Sequence, residues 1–244
     1  IFDIASNTWS TIGNFTDVTS DLASFSSGTS VYAIGGYDSD YNATNQLVKF
    51  SFNETSLTLI QKNAAPLGFG RGDISAATDG NFTYVSGGWT DDDIFCAPLG
   101  SLERYHIVSD RWETLPAVLN VPCAEKGLVF LKDRLLALGG EKSFDTKCIV
   151  NQTEYPSIWE QTVAVDEIEV LTGDTWSLLS DMADFRFRFA AVSLDIENKV
   201  FTFGGQVEYN ASCDCFRTSD VIVVYTEANY TATPEPTATP SGAP

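Results

Sequence analysis

Short apolar strands separated by polar turns recur along this chain, and four of them end on a pair of glycines. Another apolar strand precedes each of these four and is joined to it by a tight turn, which predicts a series of hairpins. The first glycines of successive pairs are 52, 52 and 65 residues apart. A recurrence on this scale indicates tandem structural units. The pairs are Gly35-Gly36, Gly87-Gly88, Gly139-Gly140 and Gly204-Gly205.

A strand, a polar turn and a tryptophan-bearing strand form a second recurring element. Together the two elements predict units of four antiparallel strands, named a, b, c and d in chain order, with the glycine pair closing strand b. Tandem four-stranded antiparallel sheets are the blades of a β-propeller, so the predicted fold class is all-β. The tryptophans are Trp9, Trp112 and Trp176, and Leu57 takes their place in the remaining copy.

This combination resembles the kelch-repeat β-propeller family, in particular propellers of the galactose-oxidase central-domain type. The resemblance runs from Phe2 to about Tyr225 and implies a kelch-type β-propeller with four-stranded antiparallel blades. About four to five blades are expected, and the ring is expected to be incomplete. Strands c and d alone precede the first whole blade, and the last blade has no strand d. In the alternative, a small closed ring, the N-terminal strands complete the last blade and strand c is supplied twice.

The repeats divide the chain into six segments. Residues 1–19 are expected to supply the outer strands of a partial blade, and residues 228–244 form a Thr/Pro-rich linker or stalk that cannot bury a core. Whole or partial kelch blades are expected at 20–67, 68–120, 121–184 (with a long insertion between strands b and c) and 185–227.

The charge excludes one large class of partners. The chain carries 33 acidic and 14 basic residues, for a formal charge of −19. Such a surface repels phosphate backbones, so no nucleic-acid partner is expected. No apolar run reaches the length of about 18 residues that predicts a transmembrane helix, so no membrane segment is expected within the chain.

Seven N-glycosylation sequons favour passage through the secretory pathway. Together with the Thr/Pro-rich tail they predict a glycoprotein that is secreted, or the extracellular part of a membrane-anchored protein. Several of the sequons fall in predicted turns and loops, where an oligosaccharide has room. The acceptor asparagines are Asn14, Asn42, Asn53, Asn81, Asn151, Asn210 and Asn229.

The five cysteines are expected on one face of the propeller. Cys96, Cys148, Cys213 and Cys215 fall in b–c loops and Cys123 in a d–a connection, and both kinds of loop leave an up-and-down blade at the same end. Disulfide bonds are therefore expected between Cys96 and Cys123, and between Cys148 and either Cys213 or Cys215. The alternative is free thiols in a cytosolic kelch protein.

No catalytic, cofactor or metal site is predicted. His106 is the single histidine and has no recognisable nucleophile or metal-ligand partner. The integrin-recognition tripeptide Arg71-Gly72-Asp73 falls where strand a begins and is expected to point into the propeller. Residues 38–42 resemble the start of a calcium loop but lack its later glycine and glutamate.

The sequence favours a non-catalytic extracellular binding module for a protein or glycan partner. Propellers present ligand-binding loops from a rigid scaffold, and the b–c loops are rich in aromatic and acidic residues. In a competing interpretation these aromatics only pack the loops together. The remaining alternatives are an intracellular kelch adaptor that recruits protein substrates and a propeller enzyme of oxidase or glycosidase type. The candidate binding residues are Tyr37, Asp38, Asp40, Tyr41, Trp89, Asp91, Asp92, Asp93 and Trp159, with Trp89 and Trp159 expected to be exposed.

Overall fold

The predicted all-β fold is confirmed by a computed structural model, which describes residues 1–16, 19–53, 58–90, 97–143 and 162–226. Three blades have four strands each. Blade 1 comprises β3 (Ala23–Ser27), β4 (Ser30–Ile34), β5 (Leu47–Asn53) and β6 (Thr58–Ala64). Blade 2 comprises β7 (Ser75–Thr78), β8 (Phe82–Ser86), β9 (Ser101–His106) and β10 (Arg111–Val118). Blade 3 comprises β11 (Gly127–Leu131), β12 (Arg134–Ser143), β13 (Thr162–Thr172) and β14 (Thr175–Asp181).

Blade 4 has three strands, β15 (Ala190–Leu194), β16 (Lys199–Phe203) and β19 (Ile222–Thr226). A separate hairpin of β17 (Gln206–Asn210) and β18 (Cys215–Thr218) occupies its b–c loop. At the N-terminus, β1 (Phe2–Asp3) and β2 (Thr8–Trp9) form a short pair of their own. In every blade neighbouring strands are antiparallel and follow the chain order, as the repeat predicts. No helix in the described ranges could cross a membrane.

The hydrophobic core lies between the blades, because each sheet carries apolar side chains on both of its faces and successive sheets pack face to face. One cluster joins blades 1 and 2 around Phe25 and Tyr105, a second joins blades 2 and 3 around Leu102 and Trp176, and a third joins blades 3 and 4 around Leu136. The innermost strands of successive blades contact each other, β3 with β7, β7 with β11 and β11 with β15.

The far face of blade 4 is apolar and exposed, in contrast to the same face of the other blades. Val192, Phe203, Ile222 and Val224 are all exposed there, on one side of the sheet set by the β15–β16–β19 register. The corresponding residues of blade 3 are covered by blade 4. No described element covers blade 4 in this way.

The repeated tryptophans differ in their surroundings. Trp176 is buried between blades 2 and 3, and the Trp112 indole donates a hydrogen bond to the Ala65 carbonyl of blade 1 at 2.7 Å. Both rings thus join one blade to the blade before it. Trp9, in contrast, is 79% exposed and its ring contacts that of Phe2. Leu57 lies outside the described residues.

The glycine pairs are required by both conformation and space. Gly88 has a φ of +88°, and a Cβ atom there would lie 2.3 Å from the Gly72 carbonyl oxygen. At Gly36 the same atom would lie 2.3 Å from the Ser20 oxygen. Only glycine tolerates such a backbone at such a distance. Strand b therefore ends against the start of strand a of its own blade, which positions the site described next.

Candidate binding site at the propeller axis

In each of the four blades, the residue two positions before strand a has a left-handed backbone. Asp21, Asp73, Glu125 and Arg188 have φ values of 52°, 54°, 50° and 55°, and we call these four residues the axial ring. The amide of Asp73 donates to the Asp21 carbonyl, that of Glu125 to Asp73 and that of Arg188 to Glu125, at 3.0, 2.9 and 3.1 Å. These bonds lock equivalent positions of four successive blades together. They bring three acidic side chains and one basic side chain to the same end of the propeller.

A second set of four residues, the bridge set, follows the glycine pairs directly. Tyr37, Trp89, Glu141 and Gln206 each form an isolated β-bridge with the residue that precedes the axial-ring residue of the same blade. For Trp89 this bridge consists of two backbone hydrogen bonds with Gly72, each 3.0 Å long. The bridges turn the side chains of the bridge set toward the interior.

The sequence-based expectation of an exposed Trp89 is therefore wrong. Trp89 is 2% exposed and Tyr37 is also buried, because the bridge pins the residue after each glycine pair against strand a. In the same loop as Tyr37, Tyr41 is 76% exposed and Asp40 is exposed as well. The Tyr41 ring centroid lies 6.4 Å from that of Tyr37. Of the remaining candidates, Asp91, Asp92, Asp93 and Trp159 lie outside the described residues.

The Asp38 carboxylate holds its own loop. It accepts hydrogen bonds from the backbone amides of Asp40 and Asn42, both at 2.9 Å, and from the Asn42 side chain. These bonds lower the pKa of Asp38. Asp38 is therefore a turn-forming residue of the Asx type, and it fixes the exposed Tyr41 beside the axial ring.

Side chains of the two sets form a mainly acidic cluster, which is largely buried except for Asp21 and part of Arg188. The Tyr37 hydroxyl donates to Asp73 Oδ2 at 3.0 Å. The Glu125 carboxyl is in hydrogen-bond contact with Asp73, and also with Glu141. Arg188 Nε donates to Glu125. We call Asp21, Asp73, Glu125 and Glu141 the axial acidic cluster, and Arg188 is its basic neighbour.

Burial and mutual repulsion hold protons on this cluster. Burial raises the pKa of Glu141 to about 7, with Arg188 opposing the rise and Asp73 adding to it. Burial, followed by the charges of Glu141 and Asp73, raises the pKa of Glu125 well above its usual range. Burial also raises the pKa of Asp73. Buried carboxyls at such short separation cannot all ionise, so the cluster carries less negative charge at neutral pH than its composition allows.

Two buried arginine side chains donate hydrogen bonds to backbone carbonyl oxygens of the glycine pairs. At equivalent positions, Arg71 Nη1 donates to Gly87 O at 3.3 Å and Arg186 Nη1 donates to Gly204 O at 2.9 Å. Arg71 also forms a fully buried ion pair with Glu103 at 2.7 Å. Arg71 is 0% exposed and Asp73 is buried. The expectation that Arg71-Gly72-Asp73 points inward is confirmed.

Both predicted disulfide pairings are wrong. Cys213 is bonded to Cys215, in the turn between β17 and β18, so neither is bonded to Cys148. Cys123 is a free, buried thiol that donates to the Gly139 carbonyl, because its side chain points into blade 3 and not toward the rim. Burial raises its pKa to about 11. Cys96 and Cys148 lie outside the described residues.

The described sequons are accessible. Asn14, Asn42, Asn53, Asn81 and Asn210 are exposed, while Asn151 and Asn229 lie outside the described residues. Asn42 and Asn210 are on the face that carries the axial cluster, whereas Asn53 and Asn81 are in turns at the opposite end. Glycosylation remains a prediction, and exposure satisfies its steric requirement.

A groove lies beside the cluster on the same face. It has a volume of about 380 Å³ and runs between the start of β13 and the β17–β18 hairpin. Its lining is largely apolar and aromatic. The residues that line it are Thr162, Val163, Ala164, Phe185, Val207, Glu208, Tyr209 and Phe216.

The axial cluster was missed by sequence reasoning although a signal was present. Asp21, Asp73 and Glu125 share the 52-residue spacing of the first three glycine pairs. Register alignment of the repeats on the glycine pairs would have placed these acids at one position. The same alignment would have placed Glu141 beside Tyr37 and Trp89 in the bridge set. Within the described residues, no group of three or more acidic, histidine or cysteine side chains suits a metal ion.

Comparison with known proteins agrees with the fold. The family model described as "Kelch motif" matches residues 70–118, which contain blade 2. Among solved structures, the chain is similar to that titled "Structure of YjhT", with a TM-score of 0.72 and 12% identity over 95% of this chain and 73% of that one. No curated protein sequence matches the chain. The chain thus contains a kelch motif and folds as a kelch-type β-propeller, an architecture typical of binding modules.

Proposed function

We propose that this chain is an extracellular, non-catalytic binding module that takes a protein partner on the face formed by the b–c and d–a loops. The observation that carries the proposal is the axial acidic cluster, which three blades assemble at that face. Asp21 is exposed, as is part of the Arg188 side chain, so the cluster is accessible from solvent. Accessible acidic groups on a rigid scaffold support recognition by charge complementarity.

The loops around the cluster favour a protein partner over a glycan. Sugar recognition commonly uses exposed aromatic rings as stacking surfaces, and among the described candidate aromatics Tyr37 and Trp89 are buried, which leaves Tyr41 exposed. Exposed Tyr41 and the groove near Phe185 and Tyr209 offer the mixture of aromatic and polar surface found in protein interfaces. A basic segment of a partner would fit the acidic axis while an apolar side chain fits the groove.

The geometry of the carboxyls argues against a glycosidase. A retaining enzyme separates its two carboxyls by about 5 Å and an inverting enzyme by about 6.5–9.5 Å. Glu125 is instead in direct contact with both Asp73 and Glu141. His106 is hydrogen-bonded to Glu113 at 2.6 Å on the outer strands, away from the cluster. These contacts support the non-catalytic part of the proposal.

The extracellular part of the proposal rests on the sequons and the tail. Seven sequons and a Thr/Pro-rich tail in one chain suit the secretory pathway, and five of the acceptor asparagines are exposed. The disulfide between Cys213 and Cys215 suits an oxidising compartment. An intracellular adaptor would have no use for these features.

Parallel arrays of secreted or cell-surface proteins and of glycans test this function. The purified native chain is probed together with Tyr41→Ala, on the loop face, and Val108→Ser, in an exposed turn at the opposite end. We expect a protein ligand whose signal is lost with Tyr41→Ala and retained with Val108→Ser. Signals confined to glycans, or lost with Val108→Ser alone, would refute the proposal. Cell-derived protein should also lose mass on treatment with an N-glycosidase.

A further inference from the structure

We propose that the disulfide between Cys213 and Cys215 is a site of thiol–disulfide exchange with a low-molecular-weight thiol of the glutathione type. The inference does not depend on the proposed function, because it rests on the chemistry of the β17–β18 hairpin alone. Three features of this hairpin carry it: the two cysteines are exposed, the turn is held without the sulfur–sulfur bond, and a second sulfur lies next to the one that is attacked.

The disulfide is open to attack from solvent. Cys213 and Cys215 are both exposed, in the turn that joins β17 and β18. Cys215 also lines a surface cavity of about 650 Å³, together with Glu208 and Arg217. A tripeptide thiol therefore has room to approach, and it meets one charged group of each sign. Exposed disulfides are typically the labile ones, whereas structural disulfides resist reduction.

The hairpin turn is held by hydrogen bonds that do not need the disulfide. The Asn210 carbonyl accepts from the Cys213 amide at 3.2 Å, and the Asn210 side chain accepts from the Ser212 amide at 2.9 Å. The Tyr209 hydroxyl donates to Asp214 at 2.7 Å. A disulfide stabilises a fold mainly by shortening the loops of the unfolded chain, and this one joins residues only two positions apart. It therefore adds little stability, so a structural role does not account for it.

Packing keeps the two cysteines close together after reduction. Cys215 is paired with Asn210 in the β17–β18 register. The ring of the next residue, Phe216, has its centroid 4.9 Å from that of Phe187 and 5.5 Å from that of Tyr209. These contacts anchor the end of the turn to the body of the propeller. The second thiol thus stays beside a mixed disulfide and can displace the thiol bound there.

The exchange proceeds in two steps. The thiolate of the small thiol attacks one sulfur and forms a mixed disulfide, while the protein S–S bond breaks and its other sulfur leaves as a thiolate, which takes up a proton. A second molecule of the small thiol then attacks the mixed disulfide and releases the oxidised dimer of the small thiol. The protein disulfide is thereby reduced to two thiols, and two molecules of the small thiol are oxidised to one disulfide. Attack by the neighbouring protein thiol instead reverses the first step.

The buried thiol of Cys123 takes no part in this exchange. It is 3% exposed, and burial raises its pKa to about 11, so it is neither accessible nor ionised at neutral pH. Trypsin also separates it from the proposed site. The tryptic peptide of residues 200–217 contains both cysteines of the pair and no other, and Cys96, Cys123 and Cys148 fall in three different peptides. A peptide map therefore reports on the pair alone.

The test follows the reduction of the native chain by reduced glutathione. Samples are alkylated at intervals, treated with an N-glycosidase and digested with trypsin, and alkylation of residues 200–217 is measured by mass spectrometry. The same reaction is run in urea that unfolds the chain. We expect the folded rate to lie within about tenfold of the unfolded rate, because the site reacts without unfolding. A disulfide that reacts only after global unfolding would be slower by about 10³-fold or more.

Variants trap the intermediate. Cys213→Ser and Cys215→Ser each keep one thiol and lose its neighbour, so at least one of them should accumulate a mixed disulfide with oxidised glutathione on residues 200–217. The reduced native chain should pass through this state to the closed disulfide. Cys123→Ser is the control and should exchange at the native rate. The double variant of Cys213 and Cys215 should unfold at nearly the native urea concentration, since the turn is held without the bond.

Four outcomes would overturn the inference: a folded rate slowed by the factor expected for global unfolding, no mixed disulfide on either single variant, loss of the urea transition in the double variant, or a native peptide map that links residues 200–217 to Cys96 or Cys148. None of these outcomes bears on the proposed function, which the protein and glycan arrays test separately.

Discussion

Replacing Glu141 by glutamine should flatten the pH dependence of stability between pH 4.5 and 7. Glu141 is 2% exposed, and burial raises the pKa of its carboxyl from 4.5 to about 7. Because the folded-state pKa is the higher one, the stabilisation is complete below pH 4.5 and is lost as the pH rises toward 7. A rise of this size, at about 1.4 kcal/mol per pH unit, amounts to about 3 kcal/mol. Glutamine does not titrate and avoids this loss.

Urea unfolding at pH 4.5, 5.5, 6.5 and 7.5 measures the effect for the native chain and for Glu141→Gln. The general repulsion of the acidic surface acts on both proteins, so it cancels in the difference between their free energies of unfolding. That difference should shift in favour of the variant by about 3 kcal/mol from pH 4.5 to 7.5. The control Asp174→Asn, which removes one exposed charge from a turn, should run parallel to the native chain. Parallel curves for Glu141→Gln as well would refute the reasoning about the buried cluster.

Three further predictions concern the scaffold and its modification. Gly88→Ala should cost at least about 4 kcal/mol and Gly80→Ala about 1–2 kcal/mol in urea unfolding; both glycines have φ near +90°, but only Gly88 would press a Cβ onto backbone. Arg71→Met should cost about 3–5 kcal/mol by leaving Glu103 charged and buried, and adding Glu103→Met should recover part of it. Asn42→Gln should remove one N-glycan from cell-derived protein, seen as a smaller mass.

Each of these predictions has a clear contrary result. Equal losses for the two glycine variants would mean that φ alone, without backbone crowding, requires glycine. An additive loss in the double variant of Arg71 and Glu103 would show that the two side chains stabilise the fold independently. An unchanged mass for Asn42→Gln, with other N-glycans present, would show that this exposed sequon is not used.

The fold was predictable because the glycine pairs report a local requirement. Gly36 and Gly88 need a positive φ and leave no space for a Cβ, so no other residue serves there and the spacing stays visible in the sequence. Counting from the pairs also placed Arg71 at the start of strand a, where the structure buries it. The tryptophan strands were visible for a similar reason, since Trp112 and Trp176 fill the space between blades.

The site was less predictable because it depends on contacts between blades. Trp89 follows a strand and precedes three aspartates, which is typical of an exposed loop. Its burial comes from the bridge to Gly72, 17 residues earlier, and no local pattern indicates that bridge. Cys123 was correctly placed in a d–a connection, but the direction of its side chain, toward Gly139, decided its pairing.

The 52-residue spacing of Asp21, Asp73 and Glu125 is visible in the sequence. That these three residues lie close together in the fold could not be predicted from it. Their approach to one another depends on the backbone hydrogen bonds that join successive axial-ring residues. The raised pKa of Glu141 depends on the burial of its carboxyl between blades. Sequence periodicity can identify positions that share a place in the repeat, but the burial and protonation of a cluster of carboxyls require coordinates.

Hydroxyl-radical footprinting of the native chain with its protein partner bound tests the central claim most directly. Tyr41 and Phe185 are exposed on the loop face, and Val108 and Ile196 are exposed in turns at the opposite end. We predict that the partner reduces the oxidation of Tyr41 and Phe185 and leaves that of Val108 and Ile196 unchanged. Protection of Val108 and Ile196, with Tyr41 and Phe185 oxidised as in the free chain, would contradict binding at the face of the axial cluster.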